Sequence, residues 1–319
     1  MRRSLFVPTL ALTLLGAGSV FGQFGRQLPP VGIQPDKQLT QRWQVGAVIQ
    51  AVGGPCAGLR GTISVPTAWP EQQVRIVDED VSSFARRVSY RDLDGVKQML
   101  FWIPQMPAGE VANVLITFEV TKSSVLAPED TARFVVPRNA PRDVRIYLGA
   151  SPLVEVRDSS IRSKANEIVN DGATAWEQVE AIYDWVRDNV KYKSGRDKGA
   201  VAALRDGNGN EHDLTSLFIA LCRVNKVPAR TVWVPDHCYV EFYLMDEKGE
   251  GHWFPCQVAG TRDFGSMSDH RPVLQKGENI KVPEHREPQR FVAEFLKGTG
   301  GRGAGQPQVK FVRKLLPAN

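Results

Sequence analysis

The chain has 319 residues, 42% of them hydrophobic, with 40 Lys and Arg against 35 Asp and Glu and a formal net charge of +5. So small an excess on so long a chain gives no reason to expect a nucleic-acid partner, and the length is sufficient for two domains. No stretch approaches the ~20 consecutive apolar residues that a helical membrane span needs.

The N-terminus reads as an export signal. Met1-Arg2-Arg3-Ser4 is basic, Leu5 to Leu15 is an apolar run interrupted by Pro8, and small residues lead to Gly22, after which cleavage is expected. Residues 1–22 are then a signal peptide, and the mature chain is expected to be secreted or periplasmic with its net charge lowered to +3 by the loss of Arg2 and Arg3. Residues 23–38, rich in Pro, Gly and Gln, read as a linker. Over residues 39–140 short apolar alternations recur at Trp43 to Val52, Leu59 to Val65, Val74 to Val77, Gln98 to Ile103 and Val111 to Val120. Gly53-Gly54-Pro55, Pro66, Pro70 and Pro107-Ala108-Gly109 punctuate them, a spacing that predicts an all-β sandwich. Its strands carry Cys56 and no histidine, so it reads as a packing or recognition module.

Helical patterns follow Leu148-Gly149-Ala150-Ser151-Pro152. Ser160 to Val169 is the first, and Thr174-Ala175-Trp176-Glu177 is a capping box that opens a second, with Val179, Ile182, Val186 and Val190 as its buried stripe. Trp176, Trp185 and Tyr192 are expected to fill the same core. A third helix, Glu211 to Val224, buries Leu214, Leu217, Phe218, Leu221 and Val224, with Asn210 as N-cap and Asp213 in the first turn. Glu211 therefore stands where unpaired N–H groups and the helix dipole favour an anion. Pro228-Ala229-Arg230 ends the helical region, and strands are predicted at Thr231 to Val234, His237 to Met245 and Trp253 to Val258 around a polar turn. A hairpin centred near Glu247 sets His237 opposite Gln257 and Cys238 opposite Cys256. The first pairing joins a general base to an orienting amide, and the second predicts a cross-strand contact or disulfide.

These residues resemble the transglutaminase-like superfamily, whose fold and catalytic logic are papain-like. The likeness runs from about Leu148 to Gly265 and rests on Gly209-Asn210-Glu211, Leu217-Phe218, Ala220-Leu221-Cys222-Arg223, Pro228-Ala229-Arg230, His237-Cys238-Tyr239-Val240-Glu241 and Trp253-Phe254-Pro255-Cys256-Gln257. It implies an exported bacterial protein in which a β-sandwich precedes an α+β papain-like domain over residues 148–295. It also implies His237 as the catalytic histidine, Gln257 in place of the orienting aspartate, and Glu211 in the position of the nucleophilic cysteine. A glutamate there is stabilised as an anion but is a poor acyl acceptor.

Trp233 and Trp253, with Asp213, are candidates for the cleft around Glu211, His237 and Gln257. Arg223 and Arg230 read as partners for carboxylates such as Glu241. Cys238 and Cys256 are the alternative nucleophiles; Cys222 reads as a packed small hydrophobe. Glu211, His212, Asp213 and His237 invite comparison with a metal site, but adjacent residues at a helix start point apart, so no metal or cofactor is expected. Pro288 to Leu296 is read as a short helix and residues 296–319 as a flexible Gly-rich tail, in which Val309 to Arg313 is either a strand or a loose end. The function expected is a catalytically degenerate protein that binds peptide, protein or cell-envelope material. The alternatives are an active cysteine-type peptidase or acyl transferase and a carboxylate-assisted hydrolase in the same cleft.

Overall fold

A computed structural model describes residues 32–299 and 305–317. The expected signal peptide and most of the expected linker lie outside the described residues.

Six strands come first: β1 (Gln34–Val52), β2 (Cys56–Val65), β3 (Gln72–Val81), β4 (Arg87–Leu93), β5 (Val96–Met106) and β6 (Val111–Leu126). A helical region follows with α1 (Arg142–Arg145), α2 (Ser159–Ile168), α3 (Ala175–Asn189), the two-residue strand β7 (Lys191–Tyr192), α4 (Ala200–Asp206), β8 (Asn208–Gly209) and α5 (Glu211–Val224). The remaining strands are β9 (Ala229–Val234), β10 (His237–Met245), β11 (Gly251–Gln257), β12 (Asp263–Phe264), β13 (Gln275–Lys276), β14 (Phe295–Thr299) and β15 (Gln306–Leu315).

One large sheet has the order β15-β1-β6-β3, a second runs β12-β11-β10-β9-β13-β5-β2-β14 with β4 added to β5, and β7 and β8 form a small parallel pair of their own. Alternation on the N-terminal strands supplies a core between the two sheets: Val45, Ala47 and Ile49 of β1 pack with Leu59 and Ile63 of β2 and Met99, Phe101 and Ile103 of β5. A second core lies under the helices, where α5 is buried from Asp213 to Arg223 against α2, α3, α4, β9 and β10. Trp176 anchors it, edge-on to Phe242, Phe254 and Phe264 at centroid distances of 5.1–5.6 Å. Strand β13 joins the two halves, since Gln275 pairs with Trp233 of β9 on one side and Val96 of β5 on the other.

Several expectations need correction. Strand β1 begins at Gln34, inside the stretch read as linker, because Gln34 and Pro35 pair with Leu126 and Val125 of β6. The stretch read as a flexible tail holds β14, paired with β2, and β15, paired with β1 over ten residues. Val309 and Phe311 pack on the core between the sheets, so Val309 to Arg313 is a strand. Residues 288–294 are not helical, and Val292 N–H donates to the Gln275 side chain instead. Tyr192 is 63% exposed rather than core.

The hairpin of β10 and β11 is shifted from the expected register. Asp246 N–H donates to Glu250 C=O at 2.8 Å, and the Asp246 carboxylate accepts from the N–H groups of Lys248 and Glu250, which recentres the turn on Lys248. Val240 therefore opposes Cys256, while Cys238 pairs with Trp233 of β9. The expected cross-strand pairing of Cys238 with Cys256, as contact or disulfide, is not formed: both cysteines are free and buried, as are Cys56 and Cys222.

Candidate functional site

The site starts at the N-terminus of α5. Asn210 accepts from Asp213 N–H at 2.9 Å, and Asp213 accepts from Asn210 N–H at 3.1 Å, a reciprocal capping box that fixes the direction in which Glu211 leaves the helix. The other Asp213 oxygen accepts from the N–H groups of Lys198 and Gly199 at 2.7 and 2.9 Å. Gly209 is required beside it, since a Cβ there would lie 2.6 Å from Asp213 Cβ. Asp213 is thus a buried structural clamp and not a cleft wall.

Glu211, His237 and Gln257 meet. His237 Nδ1–H donates to Glu211 Oε2 at 2.8 Å, and His237 Nε2 lies 3.2 Å from the side-chain amide oxygen of Gln257. A neutral ring needs that amide turned so that its nitrogen donates; a doubly protonated ring donates from Nε2–H to the amide oxygen as placed. Either way both ring nitrogens are engaged within the protein. The second carboxylate oxygen of Glu211 lies 3.5 Å from His212 Nε2, and His212 Nδ1–H reaches both oxygens of Asp197 at 3.1 Å. The expectation that Glu211 and His212 point apart fails, because the ring folds back over the helix start toward its neighbour. Burial opposes ionisation of Glu211, but hydrogen bonds with His212 and His237 outweigh it and hold the carboxyl down at about 2. Burial also opposes charge on His212, yet Glu211 and Asp197 raise its pKa overall.

Asp197 and Arg290 were not legible as site residues: no periodic or motif signal marks them, and Arg290 lies far from Glu211 in sequence. The Asn210 side chain donates to Asp197 at 2.8 Å. Arg290 donates to Asp197 at 2.9 Å, to His212 C=O at 2.9 Å and to Ser216 Oγ at 2.7 Å, and so straps residues 290–291 across the helix start. Trp233 is 5% exposed, edge-on to His212 at 5.1 Å and against Phe291 at 5.1 Å. It backs the site rather than lining an open cleft. Trp253 packs elsewhere, against Tyr147 and Tyr243 and under the Arg230 guanidinium 3.9 Å from its ring centre.

The alternative nucleophiles have unfavourable surroundings. Cys238 is 3% exposed, in a weak 3.7 Å contact with Thr215 Oγ1, and burial followed by the charge of Glu211 pushes its thiol up to about 12. Cys256 lies in the core under α5, where burial raises its thiol well above the usual range. Neither is activated as a reactive thiolate.

Residues 162–258, the stretch that carries Glu211, His237 and Gln257, match the family model of the transglutaminase-like superfamily. The chain carries a transglutaminase-like domain. Its helices α2, α3 and α5 and strands β9 to β11 all fall within or across that match. A candidate cysteine protease of known structure from Cytophaga hutchinsonii is similar to this chain over 90% of its length and 94% of the other's, with a TM-score of 0.58 and 14% sequence identity. At that identity the likeness concerns the fold alone. A candidate protease from Parabacteroides distasonis aligns with 72% of this chain and 48% of its own at 13% identity, with a TM-score of 0.30 that is too low to carry an argument. Comparison with curated proteins gave no match. Among the described residues no helix is long and apolar enough to cross a membrane.

Proposed function

We propose that this is an exported transglutaminase-like protein without thiol chemistry, which binds peptide or cell-envelope material beside Glu211, His237 and Gln257 and does not turn it over. In this reading Glu211 occupies the nucleophile position and the two-sheet N-terminal half is a β-sandwich serving recognition. The observation that carries the proposal is the 2.8 Å hydrogen bond between His237 and Glu211. A thiol enzyme pairs its histidine with a thiolate; here a carboxylate supplies the same negative partner without the nucleophile. The thiol alternative is weakened by the burial of Cys238 and Cys256. A carboxylate-assisted hydrolase is disfavoured because a carboxyl held at about 2 is a weak base at neutral pH.

The test combines calorimetry with mass spectrometry, using the mature protein and soluble peptidoglycan-derived peptides. Saturable binding with no new product is expected, with affinity reduced by His237→Ala. Product formation abolished by Glu211→Gln would instead establish the hydrolase.

A further inference from the structure

Glu211, His212 and Cys238 bring a carboxylate oxygen, a ring nitrogen and a thiol sulfur within 4.8 Å of one another. The three come from two elements, α5 and β10, and combine the O, N and S donors that a zinc-class ion accepts.

Their surroundings distinguish them from a chance cluster. His212 donates from Nδ1 to both oxygens of Asp197, and its Nε2 faces Glu211 Oε1 at 3.5 Å. In the metal-free site a proton on Nε2 bridges ring and carboxylate, and a metal ion bound there takes that proton's place. A carboxylate behind the far nitrogen is also what orients a metal-binding imidazole and raises its basicity. Asp197 is itself fixed by Asn210 and Arg290. Glu211 divides its oxygens, one toward His237 and the other toward His212. The helix N-terminus and Arg290 disfavour a cation, but two carboxylates, Glu211 and Asp197, flank His212 and oppose them.

We propose that Glu211, His212 Nε2 and Cys238 Sγ form a binding site for a divalent transition ion of the zinc class, with Asp197 as the residue that positions His212. Bonds of about 2.0–2.3 Å place tetrahedral ligands roughly 3.3–3.8 Å apart, so the donors draw in by up to ~1 Å on binding. The cysteine enters as the thiolate and His212 as the neutral ring: the S–H and Nε2–H bonds break, metal–sulfur and metal–nitrogen bonds form, and both protons pass to solvent, so affinity increases with pH. The site shares Glu211 with the proposed peptide-binding cleft but does not depend on it, and metal binding is measured without peptide.

Chelator-treated, reduced mature protein is titrated with Co2+ and then with Zn2+, following thiolate-to-cobalt charge-transfer absorption and bound metal by elemental analysis. One equivalent of Co2+ with a charge-transfer band that Zn2+ abolishes is expected. Cys238→Ser removes the band, Asp197→Asn weakens binding about 10–100-fold, and Cys256→Ser leaves it unchanged. Should Cys238→Ser not fold, His212→Gln at the half-exposed ring gives the same reading through lost stoichiometric binding. Absence of stoichiometric binding to the wild type, or a band and affinity unaffected by the Cys238 or His212 substitution, overturns the proposal.

Discussion

Glu211 is ionised throughout the neutral and mildly acidic range, and His212 and His237 are arranged around that charge. Its folded pKa of about 2 lies below the ordinary 4.5, so its stabilising contribution is full above about 4.5 and disappears as pH falls toward 2. His212 is shifted the other way, so its contribution is full below 6.5 and fades as pH rises through its raised value. The melting temperature of the wild type should therefore exceed that of Glu211→Gln most between about pH 4.5 and 6.5, with the gap shrinking on both sides. A gap independent of pH in thermal melts would mean that the charge does not hold the site together.

At the scale of elements, α5 was legible because two independent signals agree, a capping box and a three-and-four apolar stripe, and the helix begins at Glu211 as those signals require. The hairpin was legible in kind but not in register. Turn geometry fixes register, and Asp246 captures two turn N–H groups through its side chain, which periodicity does not reveal. The displacement changes the pairing but preserves the face of each residue, and so Gln257 still reaches His237. Trp253 was misplaced because a strand pattern says which residues alternate, not which neighbour covers them. The C-terminal end of α5 is held by Arg223, which donates to Gly149 C=O, Ser151 Oγ, Ala229 C=O and, in a fully buried ion pair, Glu278. Its expected role as a carboxylate partner is thus met by Glu278, while Arg230 pairs with Glu241 at 2.7 Å. Glu278→Ala leaves a buried guanidinium without its charge partner and is expected to cost about 3–5 kcal/mol in denaturant unfolding. A cost below 1 kcal/mol would show that the backbone carbonyls suffice.

Over the whole molecule, the two ends of the described chain meet: β1 lies between β6 and β15, so the last strand completes the sheet that the first one begins. This pairing was not readable from sequence, because its partners lie at opposite ends of the chain and a Gly-rich run before β15 has the composition of a tether. A second long-range tie is Lys276, whose ammonium contacts Glu241 at 2.6 Å and Glu71 at 2.7 Å and so joins β10 to the N-terminal half. Ending the chain at Gly305 uncovers ten residues of β1 edge together with apolar surface behind Val309 and Phe311. That variant should lose soluble yield and melt several degrees lower, whereas an unchanged melting temperature would make β15 dispensable.

The central claim, that Glu211 stands at the nucleophile position of a papain-like site, is tested most directly by the pH dependence of iodoacetamide labelling of Glu211→Cys beside the wild type, with modified residues mapped by mass spectrometry. The account predicts slow labelling of every native cysteine in the wild type. In the variant the thiol at position 211 should label rapidly, with a pKa well below the ordinary ~8.5, because His237 and the start of α5 favour its anion. Labelling at position 211 no faster than that of a free thiol at neutral pH, or fast labelling of Cys238 or Cys256 in the wild type, would contradict it.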